Sequence, residues 1–265
     1  MSWVITGQEA GPLGLLDQYA GAAAYSLRNL SLYHTNPVVR VRRDNDNAEQ
    51  DFTATEVSDG TLAAWVGAGN NGFVRTWYDQ SGNNAHLINT TLIGQPLIVN
   101  SGSLLLLGGE PTLSLDGSND TLSKIGGGNW QTAFVVCNYT KSSSVFASFD
   151  GLLTSTDGLG PAQGIGIIGS SSANTLFTGT TWFDLFYFNG ATATVVFPAI
   201  NSISLITAIS ADAVNGLSGL KLGQDRTNAG RFWGGSISEV IIMSSDQSAN
   251  RTAIEANINA HYSIY

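Results

Sequence analysis

Short runs in which apolar and polar residues alternate, separated by Gly, Ser, Asn and Asp, fill most of the chain. Val38 to Val41 leads into Arg42 and Arg43, and Phe73 to Trp77 alternates in the same way, as strands with one buried face do. Residues 96–99, 104–107, 112–115, 133–139, 145–149 and 203–209 read as further short strands, and 219–242 as two strands joined by the loop 225–230. The aromatic run 182–188 is apolar on both faces, which predicts a buried central strand rather than a platform for stacking sugars. Helical spacing is confined to two places. Apolar residues at 15, 16, 19, 23, 27 and 30, with three alanines, predict a helix near the N-terminus. Ile254, Ile258 and Tyr262 predict a C-terminal helix, with Ser248 as N-cap and Glu255 and Asn259 facing outward. Residues 1–14 read as an edge strand and connector, the alternative being an arm that docks on a neighbouring subunit. The sum is one all-β domain over 1–265, a sandwich or jelly roll with a helix at each end, undivided by repeats or linkers.

Composition narrows the function. Charged residues are 12% of the 265 and hydrophobic ones 43%, so the chain folds and covers itself with Ser, Thr, Asn and Gln. Such a surface desolvates at little cost against a sugar or another subunit. The net charge of −9, with no basic stripe, argues against nucleic acid, and no apolar run is long enough to cross a bilayer. The single cysteine, Cys137, sits in an apolar strand and has no partner for a disulfide. The N-terminus lacks a basic lead and breaks its apolar opening at once, unlike a signal peptide. Gly164 to Gly169 has a nucleotide-loop look but no Lys-Ser/Thr and no βαβ context. Asp44 to Asn47 lacks the Gly and Glu that a calcium loop needs and reads as a solvated turn. No cofactor or metal is expected.

The densest chemistry lies in Trp77 to Leu87, where an aromatic strand end meets an Asp79-Gln80-Ser81-Gly82-Asn83-Asn84 turn and returns through His86. Asp and Ser can bond nearby amides, which predicts a rigid turn whose polar groups are satisfied locally. It could anchor the sheet or hold a ligand. His86 reads as a hydrogen-bonded core histidine before a general base, since no nucleophile with a neighbouring acid accompanies it. Arg42 is placed to pair with Asp79 across the sheet.

Tyr78-Asp79-Gln80-Ser81-Gly82 with His86 resembles a signature of the catalytic domain of α-L-arabinofuranosidase B, a concanavalin A/laminin-G-like β-sandwich. Ala24-Tyr25-Ser26, the Val39 to Arg43 strand, the turn Leu115-Asp116-Gly117-Ser118-Asn119-Asp120, and Leu222 to Ile241 are similar to the same family in the same order. The resemblance implies that Asp225 stands at the acid/base position. It places Gln163, in Ala162-Gln163-Gly164-Ile165, where the family has a nucleophilic Glu. An amide cannot form the glycosyl-enzyme ester, so the expectation is a chain without catalysis and with Asp225 vestigial.

Sandwiches with this Tyr-Asp-Gln-Ser-Gly turn also resemble domains found in phage virion proteins. The expected function is therefore a non-catalytic virion subunit, as a capsid decoration, head-fibre or tail-fibre protein. It would be made in a host cytoplasm, homo-oligomeric and docked on other virion subunits, with Trp182, Asp225, Arg226 and Trp233 available to a glycan. The alternatives are an extracellular carbohydrate-binding module and an arabinofuranosidase-like hydrolase.

Overall fold

A computed structural model describes residues 13–126, 130–155, 166–178, 183–198, 200–214 and 219–265. Among them, sixteen strands form one continuous antiparallel network that curls into two layers, as expected for a β-sandwich. The curl is visible in the partners of its long strands. Gly234–Met243 runs beside Trp130–Cys137 on one side. Its other side is shared, with Leu113–Asp116 along its first half and Ala23–Ser26 along its second. Gly72–Trp77 likewise has Val39–Arg43 along one side, with Leu97–Asn100 and Leu87–Ile88 dividing the other.

Strand period two sorts the side chains between two cores. Ala133, Val135 and Cys137 point into the main core with Val240, Ile242, Ile206 and Ala208. Their neighbours Phe134, Val136, Ile241, Met243 and Leu205 face the opposite way, onto the C-terminal helix Arg251–Tyr262. Ile254, Ile258 and Tyr262 meet them from that helix, each contributing about 1.5–3 kcal/mol by burial. Cys137 is fully buried, and the loss of water pushes its thiol pKa up.

Several expectations are corrected. The helix over 15–30 reduces to Leu15–Gln18, and Ala23–Ser26 is a strand paired in register with Glu239 to Ile242. Pairing with a long buried strand outweighs alanine's helical preference. Two short helices, Ala54–Ser58 and Thr61–Val66, were not foreseen. The first carried a signal: Thr53 and Glu56 form a capping box, Glu56 N–H donating to Thr53 Oγ1 at 3.3 Å and Thr53 N–H to Glu56 Oε2 at 2.8 Å.

Residues 145–149 form no strand; the strand starts later, at Gly151–Ser155. Among the described residues Leu185–Phe188 is an edge rather than a central strand, paired only with Ser204–Val214, and Leu185 is exposed. Asn250, not Ser248, precedes the last helix, and no side chain caps it. Glu255 is buried rather than outward, accepting from Thr207 Oγ1 at 2.6 Å and from Arg251 Nη1 at 2.7 Å. Nearly all of the 1–14 segment lies outside the described residues.

Candidate functional site

Two polar clusters stand apart from the apolar cores. The first is the Tyr78–His86 turn, which is tied to distant chain as well as to itself. Asp79 Oδ1 accepts from the N–H groups of Ala24 and Ser81, both at 2.9 Å. Its Oδ2 accepts from Ser81 Oγ at 2.8 Å and Ala85 N–H at 3.0 Å. Gln80 accepts from Leu30 N–H at 2.9 Å and donates to the carbonyls of Ser26 and Arg28. The motif thus staples the segment Ala24 to Leu30 to the end of the Gly72–Trp77 strand. Arg42 does not pair with Asp79. Burial depresses its pKa, and its guanidinium donates instead to Gln95 Oε1 and Asn47 Oδ1, both at 2.8 Å. Asp79 is already saturated by four donors. His86 accepts from the Asp79 N–H through Nδ1 at 3.1 Å and packs edge-on against Tyr78.

Asp116 closes the second signature turn, accepting from Ser118 and Asn119 N–H groups at 2.8 and 3.1 Å. Asp120 follows it. Burial, with the Asp116 charge adding to it, raises the Asp120 pKa to about 7, although the Asp116 N–H donates to it.

The second cluster surrounds Asp225, just past the strand Gly219–Leu222. Gly223 holds a φ of +90°, and a β-carbon there would meet Leu115 at 2.4 Å, so only glycine turns the chain at this point. The carboxylate that follows is almost sealed, at 1% exposure. Arg226 Nε donates to its Oδ1 at 2.7 Å, and Arg231 Nη1 and Asn228 Nδ2 donate to its Oδ2 at 2.9 and 3.1 Å. Arg231 lies over the Phe149 ring, 5.0 Å from its centroid.

One residue before Gly151, which packs on the Asp225 backbone, lies a second buried carboxylate. Asp150 accepts from Tyr139 OH at 2.6 Å, from Lys141 Nζ at 2.9 Å and from Ser148 N–H at 3.2 Å. Lys141 also donates to the Phe232 carbonyl, in the chain returning from Asp225. The two acids are joined through Gly151, whose α-carbon packs on the Gln224–Asp225 backbone. Sequence reasoning passed over Asp150, because its proximity to Asp225 arises only from strand pairing. The signal available was an acid directly before a glycine.

Trp233 is not a sugar platform. It is fully buried, donates Nε1–H to the Asn138 carbonyl at 2.9 Å, and packs on Tyr139 and Phe146. Trp182 and Gln163 lie outside the described residues. Of the foreseen glycan contacts, the structure therefore brings together only Asp225 and Arg226. Among the described residues, no group of three or more His, Cys, Asp or Glu side chains is arranged to hold a metal ion.

No protein-family model matches the sequence, and no curated protein matches it. Solved structures do share the fold. One is an arabinofuranosidase complexed with arabinofuranosyl-α-1,2-xylobiose, at TM-score 0.55. Another is a GH54 α-L-arabinofuranosidase soaked with a cyclic sulfate inhibitor, at 0.57. A third is a glutamate-to-glutamine mutant of a GH54 α-L-arabinofuranosidase soaked with 4-nitrophenyl α-L-arabinofuranoside, at 0.56. Each is 14% identical; the alignments cover 91% of this chain and 62% of theirs, so the chain spans about three fifths of their length. The expectation of a virion subunit without catalysis is corrected by this finding: the solved structures the chain matches are arabinofuranosidases.

Proposed function

We propose that the chain is a glycoside hydrolase domain acting on α-L-arabinofuranosides, with Asp225 and Asp150 as its carboxyl pair. The observation that carries this reading is that Gly151, directly after the buried Asp150, packs on the backbone of the buried Asp225, just outside the paired strands Gly151–Ser155 and Gly219–Leu222. Glycoside hydrolysis needs two such groups. Asp225, in its protonated form once Arg226 and Arg231 have moved off it, donates its proton to the leaving glycosidic oxygen. Asp150, beside the Lys141 cation, takes a proton from the attacking water, whose oxygen bonds to the anomeric carbon as the C–O bond breaks. This single displacement needs no enzyme ester, which suits a chain with Gln163 where the resemblance puts a nucleophile.

In the closed arrangement Arg226 and Arg231 occupy the Asp225 carboxylate, so turnover requires the 225–231 loop to lift. The guanidinium groups then become available to the sugar hydroxyls.

The test is hydrolysis of 4-nitrophenyl α-L-arabinofuranoside by the chain and by Asp225→Asn and Asp150→Asn. The reading expects a measurable rate, a loss of at least about a hundredfold in each variant, and an inverted anomer as first product by NMR. No rate above buffer, or a rate indifferent to both substitutions, overturns it.

A further inference from the structure

A cavity of about 380 Å³ opens beside the Tyr78–His86 turn and shares no lining residue with the Asp225 cluster. That size lies within the range of small-molecule sites, ~300–1,000 Å³. The turn motif itself is consumed in stapling, because Asp79 and Gln80 spend their polar atoms on backbone groups. What remains for a ligand comes from the residues around them. His34 Nε2 is buried there with no hydrogen-bond partner. A buried polar atom left unpaired is unfavourable, and a ligand hydroxyl would supply the missing partner. His86 accepts through Nδ1, so its neutral ring carries the proton on Nε2 and offers a donor. The side-chain amides of Asn36 and Asn84, both lining the cavity, make no hydrogen bond among the described residues. Tyr78 and Asp51 complete the wall, with the Tyr78 hydroxyl donating to Asp51 Oδ1 at 2.8 Å.

The charge of the wall selects the ligand. No Lys or Arg lines it, so an anion would face Asp51 and Asp79 with nothing to neutralise it. A cation gains little, because Asp51 is already held bidentately by Arg40 at 2.7 Å. Donors and acceptors set beside the Tyr78 ring fit an uncharged ring with several hydroxyls. We infer that this cavity is a second carbohydrate site, binding one neutral sugar ring without cleaving it and independent of Asp225.

The chain has three histidines, His34, His86 and His261, which makes the test direct. Their imidazole Cε1–H signals are followed by NMR while methyl α-L-arabinofuranoside is added, up to tens of millimolar. The proposal expects saturable shifts at His34 and His86, no shift at His261, and the same response in Asp225→Asn. Asn36→Ala, at an exposed position of ordinary φ, should weaken binding about fivefold or more. Silence at His34 and His86 overturns the proposal. So does a response to inorganic phosphate in place of the sugar, or a response that disappears in Asp225→Asn.

Discussion

Gly151 lies so close beneath Asp225 that a β-carbon on it would come within 2.2 Å of the Asp225 nitrogen. Its φ is ordinary; contact, and not conformation, demands glycine here. Gly151→Ala must push the 225–231 loop off the adjacent strand, and backbone cannot yield as a flexible side chain does. The expected cost is about 3 kcal/mol, at the upper end for overpacking, read as a lower urea midpoint with an unchanged m-value. If the two acids form the carboxyl pair, arabinofuranoside turnover falls further than stability does.

Gln80→Ala removes one side chain that satisfies three backbone groups, Leu30 N–H and the carbonyls of Ser26 and Arg28. The predicted loss is ~3 kcal/mol or more, since each buried group left unpaired carries its own penalty. Gln80→Glu separates the contributions. A carboxylate can still accept from Leu30 but cannot donate to either carbonyl, so it should not restore stability. Chemical denaturation of the three proteins decides the point.

Glu239 is a fully buried carboxylate on the Gly234–Met243 strand. Arg28 holds it with two bonds of 2.8 and 3.0 Å, and Ser26 Oγ adds a third at 2.8 Å. Arg28→Ala strands the charge in the core and should cost about 3–5 kcal/mol. Removing both partners, as Arg28→Met with Glu239→Leu, should cost clearly less than the sum of the single losses. An additive result in thermal or urea unfolding would show that the pair is not coupled.

Asp120 sets a pH dependence whose sign is opposite to that of a salt-bridged acid. Its folded pKa is raised to about 7 from 3.8, so between these values the native state holds a proton that the unfolded chain has released. Its contribution is most favourable below about pH 4 and is lost as the pH rises through about 7. Asp120→Asn cannot ionise and should therefore raise the melting temperature above pH 7 relative to the parent. It should also flatten the dependence from about pH 4 to 7. Melting curves of both proteins across that range provide the check.

Much of the fold was legible in sequence because strand periodicity and helix stripes are local. Gly72–Trp77, Val39–Arg43 and the Ile254, Ile258, Tyr262 stripe stand where the pattern puts them. The errors fall where a distant partner overrules local preference. Ala23–Ser26 has helical composition and becomes a strand because Glu239 to Ile242 and Asp79 claim its backbone. Arg42 finds Gln95 and Asn47 because the strand register sets it opposite Phe73, at the far end of Gly72–Trp77 from Asp79.

The sequence alone determined that this chain is an all-β sandwich, where its punctuating turns fall, and that Asp225 merits inspection. Only the tertiary structure decided that Asp225 is closed over by two arginines and that Asp150 is its neighbour. It also decided that Trp233 belongs to the core and that a cavity is left beside His34 and His86. The reason is physical. Periodicity and turn chemistry are written in adjacent residues, whereas burial, saturation of a carboxylate and the meeting of two acids depend on which remote strands pair.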